Sequence, residues 1–336
     1  MTRIPLTEDS ILRKIFAGSR PAPGSGALQS LALGMGDDAA LFRPKAGYQT
    51  ILTCDWFLEG THFWRDKHPP DSVGWKCLAR AVSDIAAMGG VPRCFLLSLA
   101  LPASLTGRWL DVFLAGLRRA SRKLGCTLAG GDTTRRNEVL INVTVVGEVR
   151  TGYALLRSGA RAGDILYVSG GLGEAELGLQ ILKRSKGPGN RTNPLTRKHL
   201  YPEPRVAVGQ WLADARIASS LMDLSDGLSS DLPRLCAASG VGAQVQMARI
   251  PRVRIPKHAL LDGIDSTRLA LDGGDDYELL FTVPRHRLQV VPVSFQGVPL
   301  TSIGSITKKR KLVLVEDGGR QRQLVPGGWD PFRTAR

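Results

Sequence analysis

Acidic residues, cysteines and long apolar runs are all scarce in this 336-residue sequence. Asp and Glu number 30 against 45 Lys and Arg, a formal net charge of +15. That surplus suits either a nucleic-acid binder or an enzyme with a basic surface and anionic substrates. The runs "RRASRK" (118–123) and "KKRK" (308–311) have no interleaved aromatics, which disfavours nucleic acid as the partner. "KKRK" reads as an exposed hairpin strand turning through "EDGG". The five cysteines (54, 77, 94, 126 and 236) form no CxxC pair and are odd in number, which predicts a reduced, cytoplasmic protein. The longest apolar stretch, around "CFLLSLALP", is too short to span a bilayer. "MTRIPLTEDS" has no apolar segment behind a basic one, so no secretory signal is expected.

Familiar catalytic signatures are missing as well. There is no GxSxG elbow, and no cysteine has an evident histidine partner nearby in sequence. A GxxxxGK[ST] loop and a kinase HRD/DFG pair are both absent, which excludes the common ATP-binding families by motif.

What is present is an alternation of strand and helix patterns. "IPLTEDSILRKIF" (4–16) predicts a helix with Thr7 as N-cap, followed by a Gly/Pro/Ser-rich mobile loop over 17–30. "QTILTCDWF", "RCFLLSLALP", "CTLAGG" and "VLINVTVVGEV" read as strands. "DSVGWKCLARAVSDIAAMGG" and "TGRWLDVFLAGLRRASRKLG" read as helices. The expected fold is α/β (α+β) in two domains, 1–150 and 151–336.

Aspartates then recur beside glycines: "GMGDDAAL", "TCDW", "SDIAAMGG", "AGGDTT", "MDLSDG" and "DGGDDY". Adjacent carboxylates repel, and a glycine-loosened turn is a poor place to hide them. Hard divalent cations take such oxygen ligands, and magnesium in particular combines a few carboxylates with substrate phosphates. Each aspartate also has an ordinary reading. Asp37 suits an Asx turn, Asp84 pairs with Arg80 one helical turn away, and Asp226 caps a helix. Six such clusters in one chain favour the metal reading of the set, with Asp37 and Asp38 sharing ions. "SGGLGEAELG" (169–178) places glycines before a helix, where amides attract anions, or simply makes a tight strand-to-helix turn.

In this order, "GMGDDAAL", "TCDWFLEGTHF", "WKCLARAVSDIAAMGGVP", "LAGGDTTR", "LLRSGARAGDILYVSG", "DLSDGLSSDL" and "LDGGDDYELLFTVP" resemble the thiamine-monophosphate kinases. These belong to the family that also contains aminoimidazole-ribotide synthetase and selenophosphate synthetase. The resemblance implies an N-terminal ATP- and Mg-binding domain whose sheet pairs across a homodimer, and a C-terminal α/β domain that completes the site. It implies ATP, several Mg2+ ions, and phosphorylation of thiamine monophosphate to thiamine diphosphate. Carried over by motif, Asp38, Asp55, Asp84, Asp132, Asp223 and Asp226 would hold metal, assisted by Thr53 and the backbone at Cys54. Gly131, Asp132, Arg157 and Ser225 would contact ATP, and His62, Asp275 and Trp329 would face the thiamine moiety. Departures from the pattern are Cys54 for a hydroxyl residue, Asp275 for Glu, and "WDPF" for a sequence nearer "YDHF". "EGTHF" and "DGGDDYELLF" favour the thiamine enzyme over aminoimidazole-ribotide synthetase. A non-catalytic nucleotide or nucleic-acid binder is the alternative of another class.

Overall fold

A computed structural model describes residues 7–17, 30–35, 38–255 and 264–332. The chain divides into two compact units. The first comprises Met1–Ile85, Gly90–Gly152 and Leu182–Asn193; the second comprises Ala86–Gly89, Tyr153–Ile181 and Pro194–Arg336.

The first unit opens with α1 (Glu8–Phe16), whose N-cap Thr7 accepts from the Ser10 amide at 3.3 Å. Residues 4–6 of the predicted helix, most of the predicted loop (18–29), and Asp37 lie outside the described residues. Short strands β1 (Leu31–Leu33) and β2 (Leu41–Phe42) pair antiparallel. Next come β3 (Tyr48–Leu58), α2 (Pro70–Ala87), β4 (Val91–Leu101), α3 (Arg108–Leu124), β5 (Thr127–Arg135) and β6 (Leu140–Arg150). The sheet runs β3-β6-β4-β5, antiparallel except for the β4–β5 pair that α3 crosses over to connect.

On α3, Leu110, Phe113, Leu114 and Leu117 are buried at helical spacing, with charges elsewhere around the axis. On α2, Leu78, Val82 and Ile85 do the same. These two helices touch at Gly116, where a Cβ would stand 1.9 Å from the Asp71 carbonyl oxygen, so only glycine permits the approach. The α2 side of the sheet carries Ile51 and its cross-strand partner Gly147, which meets the Ile85 side chain. Alternate residues face the other way. There Leu52 is 70%, Trp56 56% and Leu96 38% exposed. Leu96 and Cys54 both pair with Thr144, so these side chains share one uncovered face.

The second unit contains β7 (Ile165–Ser169), α4 (Glu174–Arg184), α5 (Pro194–Leu200), α6 (Val206–Asp214), β8 (Ser220–Leu224), α7 (Leu228–Ser239) and β9 (Gly242–Gln246). It continues with α8 (Ser266–Asp272), β10 (Glu278–Val283), β11 (Ser294–Phe295), β12 (Val298–Thr307), β13 (Leu312–Val315) and β14 (Gln321–Gln323). Its eight-stranded sheet runs β14-β13-β9-β12-β7-β10-β8, with β11 added on β12. Both faces are covered. One carries Leu166, Val168, Met222 and Leu280 against Leu228, Leu232 and Leu235 of α7. The other carries Leu221, Leu279 and Phe281 against Val208 and Leu212 of α6.

"KKRK" is a connection between β12 and β13, not a strand. Four successive cations offer nothing to bury. The strand is the following "LVLV", whose Leu314 enters the core and which pairs with β14 through the "EDGG" turn. Among the described residues no helix is long and apolar enough to cross a membrane.

Candidate active-site residues in each unit

In the first unit, period-two alternation along β3 puts Thr53 and Asp55 on the α2 side of the sheet with Ile51 and Phe57. The Thr53 hydroxyl donates to the Asp84 carboxylate of α2. Arg80, one turn earlier on α2, stands 3.8 Å from Asp55, and its guanidinium lies 5.3 Å from the Phe57 ring centre. Thr53, Asp55 and Asp84 therefore gather between strand and helix, and the Asp55 side chain remains 30% exposed.

Asp38 is exposed on the segment between β1 and β2. The residues just outside the β1–β2 pair are tied to one buried carboxylate, Glu148 of β6. The Ser30 hydroxyl and the Lys45 amide donate to Glu148 Oε1 at 2.9 and 2.8 Å, and Arg93 Nε donates to Oε2 at 2.7 Å. His62 lies in the turn after β3, where its Nδ1 accepts from the Leu58 amide at 3.0 Å.

Two residues fall elsewhere. The Cys54 thiol lies on the uncovered face, with its sulfur 3.1 Å from Asn142 Nδ2 and 3.3 Å from Oδ1. Asp132, next to Gly131 on edge strand β5, is in register with Ser98, then Asn142, then Trp56. Cross-strand partners share a face, so Asp132 belongs to the uncovered side, three strand spacings (about 14 Å) from β3. The first unit does not bring it to Asp55 and Asp84.

In the second unit the turn after β8 is the hub. Asp223 is buried at the strand end. The Ser225 carbonyl accepts from the Asp275 amide at 2.8 Å, and the Asp226 carbonyl accepts from the Trp329 amide at 2.9 Å. A Cβ on Gly328 would stand 2.0 Å from that same Asp226 oxygen, which is why the C-terminal segment can lie so close. Ser225, Asp226, Asp275 and Trp329 are thus brought together, with Asp223 on the strand that leads into the turn. Arg157 is not. It is exposed at the far end of α7, where its carbonyl accepts from Ser239 at 2.6 Å.

Asp226 does not cap α7. Gly227 occupies that position, and the buried Asp231 carboxylate turns back to accept from the Ser225 and Asp226 amides at 3.1 and 3.0 Å. Burial, with the Asp226 charge adding to it, pushes Asp231 up to about 6. Asp226 instead accepts from Arg234 at 2.5 Å.

The glycine-rich turn before α4 is occupied from inside. Asp276 accepts from the Gly173 and Ala175 amides at 2.6 and 3.1 Å, so the protein supplies its own acceptor to these helix-end donors. Burial pushes Asp276 up to about 7. Glu278, also buried, packs against Gly170 so closely that a Cβ there would meet its Oε1 at 2.2 Å. It accepts from Lys198 at 2.7 Å, Arg205 at 2.6 and 2.7 Å, and Ser169 at 2.6 Å. Burial alone would raise Glu278, but Lys198 and Arg205 outweigh it and hold the group below its ordinary value.

Sequence reasoning missed Glu148, Asp231, Asp276 and Glu278. For the last two a signal existed. Residues 276, 278 and 280 alternate with 275, 277 and 279 as "DDYELL" enters β10, and one set of an entering strand must face inward.

Burial raises Cys77 and Cys236 to about 12 and Cys94 to about 11, and lifts Cys126 as well, so these four thiols stay protonated near neutral pH. Among the described residues, no group of three or more His, Cys, Asp or Glu stands ready to hold a metal ion. The donors that do gather are oxygen only: Asp55, Asp84 and Thr53 in one unit, Asp223 and Asp226 in the other. Such a set fits magnesium, which binds through one or two carboxylates together with substrate phosphates rather than in an all-protein cage.

Residues 36–149 match the AIR synthase related protein N-terminal domain, and residues 161–317 match its C-terminal domain. The thiamine-monophosphate kinase of Bacillus subtilis (strain 168) is 36% identical over 313 residues, covering 90% of this chain and 94% of that protein. The crystal structure of thiamine-monophosphate kinase from Stenotrophomonas maltophilia K279a aligns at a TM-score of 0.79 with 34% identity, covering 92% of this chain and 96% of that one. AaThiL complexed with AMPPCP and TMP aligns at 0.75 with 32% identity, covering 88% and 91%.

Proposed function

This chain belongs to the AIR synthase related family, beside the thiamine-monophosphate kinases, and we propose that it transfers the γ-phosphoryl group of ATP to thiamine monophosphate, giving thiamine diphosphate. The observation that carries this reading is likeness to those kinases over nine-tenths of the chain. A relative complexed with AMPPCP and TMP supports the choice of donor and acceptor.

Donor and acceptor are both polyanions, so the main barrier is bringing an acceptor phosphate oxygen in line with a negative γ-phosphate. That oxygen is largely ionised near neutrality, since the second phosphate pKa is about 6, and no general base is required. Asp55, Asp84, Asp223 and Asp226, with Thr53 and the exposed Asp38 and Asp132, would hold Mg2+. Bound there, Mg2+ would neutralise phosphate charge and fix the geometry of the two substrates. In this scheme Thr53 orients Asp84 by donating to it. Ser225 and the "AGGD" backbone at Gly131 serve ATP. His62, Asp275 and Trp329 serve the thiamine moiety, and Arg157 has no part in the hub around Ser225.

The exposed apolar face bearing Leu52, Trp56 and Leu96 supports a homodimer in which a second copy covers it. Five free thiols suit a reducing cytoplasm.

The test is ADP release by the purified chain with Mg-ATP, with and without thiamine monophosphate. Release is expected only with the acceptor present. Asp84→Asn should lower it at least about a hundredfold while the melting temperature stays within a few degrees. ADP release indifferent to thiamine monophosphate would overturn the assignment.

A further inference from the structure

The segment "DGGDDYE" that leads into β10 holds two of the positive-φ non-glycine residues in the described chain, Asp275 (φ 66°) and Tyr277 (φ 49°). Side chains resist this backbone region, and strain of that kind persists where the surroundings over-determine it. Here they do. The Asp275 amide is bonded to the Ser225 carbonyl at 2.8 Å and the Tyr277 amide to Leu224 at 2.9 Å, while Asp276 and Glu278 are locked inward by the contacts described above. Glycine would relieve the strain at either position, yet side chains stand at both, and they bond to each other. Tyr277 Oη donates to Asp275 Oδ1 at 2.7 Å. The other oxygen, Oδ2, lies 3.7 Å from Nδ1 of the buried His199 on α5. The neighbouring Lys198 clamps α5 to Glu278, so the imidazole is placed by the same segment it braces. Asp275 itself stays 28% exposed, so its carboxylate is hydrogen-bonded at Oδ1, flanked by the imidazole at Oδ2, and still reachable.

Resting on the functional reading above, we propose that Tyr277 and His199 are positioning residues that hold the Asp275 carboxylate in the orientation that meets the cationic organic part of thiamine monophosphate. The chemistry is complementary. A thiazolium and an aminopyrimidine offer positive charge and N–H donors, and a carboxylate offers only acceptors. A shorter acid at this position tolerates less misalignment than a longer one, so its aim must be fixed by its neighbours. The phosphate-handling residues should be indifferent to this brace.

The experiment is steady-state kinetics on the full chain with each substrate varied in turn. Tyr277→Phe keeps the buried ring and removes one hydroxyl. It should raise KM for thiamine monophosphate roughly tenfold, keep KM for ATP within about twofold, and leave the melting temperature within a few degrees. Asp275→Asn should act in the same direction, and adding Tyr277→Phe to it should change KM by less than about twofold, because the two act as one unit. His199→Asn should raise KM for thiamine monophosphate about threefold and couple to Asp275→Asn in the same way. It carries the cycle if Tyr277→Phe melts early. Independent, multiplying effects of the paired substitutions, or equal rises in both KM values, would sink the proposal. A wild-type chain without thiamine-monophosphate-dependent ADP release would overturn the functional reading and this proposal with it. Normal wild-type turnover with an unmoved KM in these variants would overturn this proposal alone.

Discussion

The four-stranded sheet of the first unit is dressed on one face, and the eight-stranded sheet of the second on both. In β3, Ile51 and Phe57 are buried while Leu52 and Trp56 between them stand in the open. In β8 and β10 every residue is buried, and two separate apolar clusters lie on the two sides. Both strands obey the same period-two geometry. What differs is whether this chain supplies the second layer. The bare side of the first sheet carries Leu and Trp where a solvent-facing side ordinarily carries Lys and Glu.

The contrast breaks most severely where the second unit is already complete. Phe281→Ala removes a fully buried ring from β10 and should cost about 3–5 kcal/mol, lowering the melting temperature by about 10 °C or more. On the bare face, Leu52→Glu with Trp56→Glu should leave the protomer folded. The same pair should weaken self-association at least about a hundredfold, near 3 kcal/mol, by sedimentation velocity. A wild-type chain that sediments as a monomer at micromolar concentration would remove the dimer from the picture.

A finer probe addresses the buried carboxylates of the second unit. Asp276 is raised by burial to about 7 in the folded chain, above its unfolded value, so its stabilising contribution is complete below about pH 4 and is lost as pH climbs through about 7. Asp276→Asn has no such titration. The stability of wild type minus variant should therefore fall between pH 4 and pH 7, by about 3 kcal/mol, in denaturant titrations at each pH. A difference flat with pH would contradict the raised group. The smallest effect is expected at Gly328→Ala. Its Cβ would press on the Asp226 carbonyl and shift the segment bearing Trp329, costing about 1 kcal/mol and raising KM for thiamine monophosphate several-fold.

Much of this was legible in the residues. The strands and helices of the first unit follow from alternation and from apolar residues at helical spacing. The hub in the second unit follows from "DLSDG" and "DGGDDY" lying beside paired strands. The rest depended on pairings distant in sequence. Asp276 reaches amides a hundred residues away, and Glu148 ties down Ser30 and Lys45. No local pattern announces such contacts. The face on which Asp132 falls depended on the register of four strands, which "LAGGDTTR" alone does not fix. "KKRK" reads as a strand because a charged run before a turn looks like an edge. The pairing capacity belonged to the leucines and valines after it.

Glu278 is shared by Lys198, Arg205 and Ser169 in a place closed to water. Losing that acid would leave two largely buried cations without their shared counter-charge, and losing either cation would unbalance the acid. Single-step drift at position 278 is therefore barred. Descendants of this gene can change that residue only by a concerted replacement involving 198 and 205, so the three sites should travel through evolution as one inherited character.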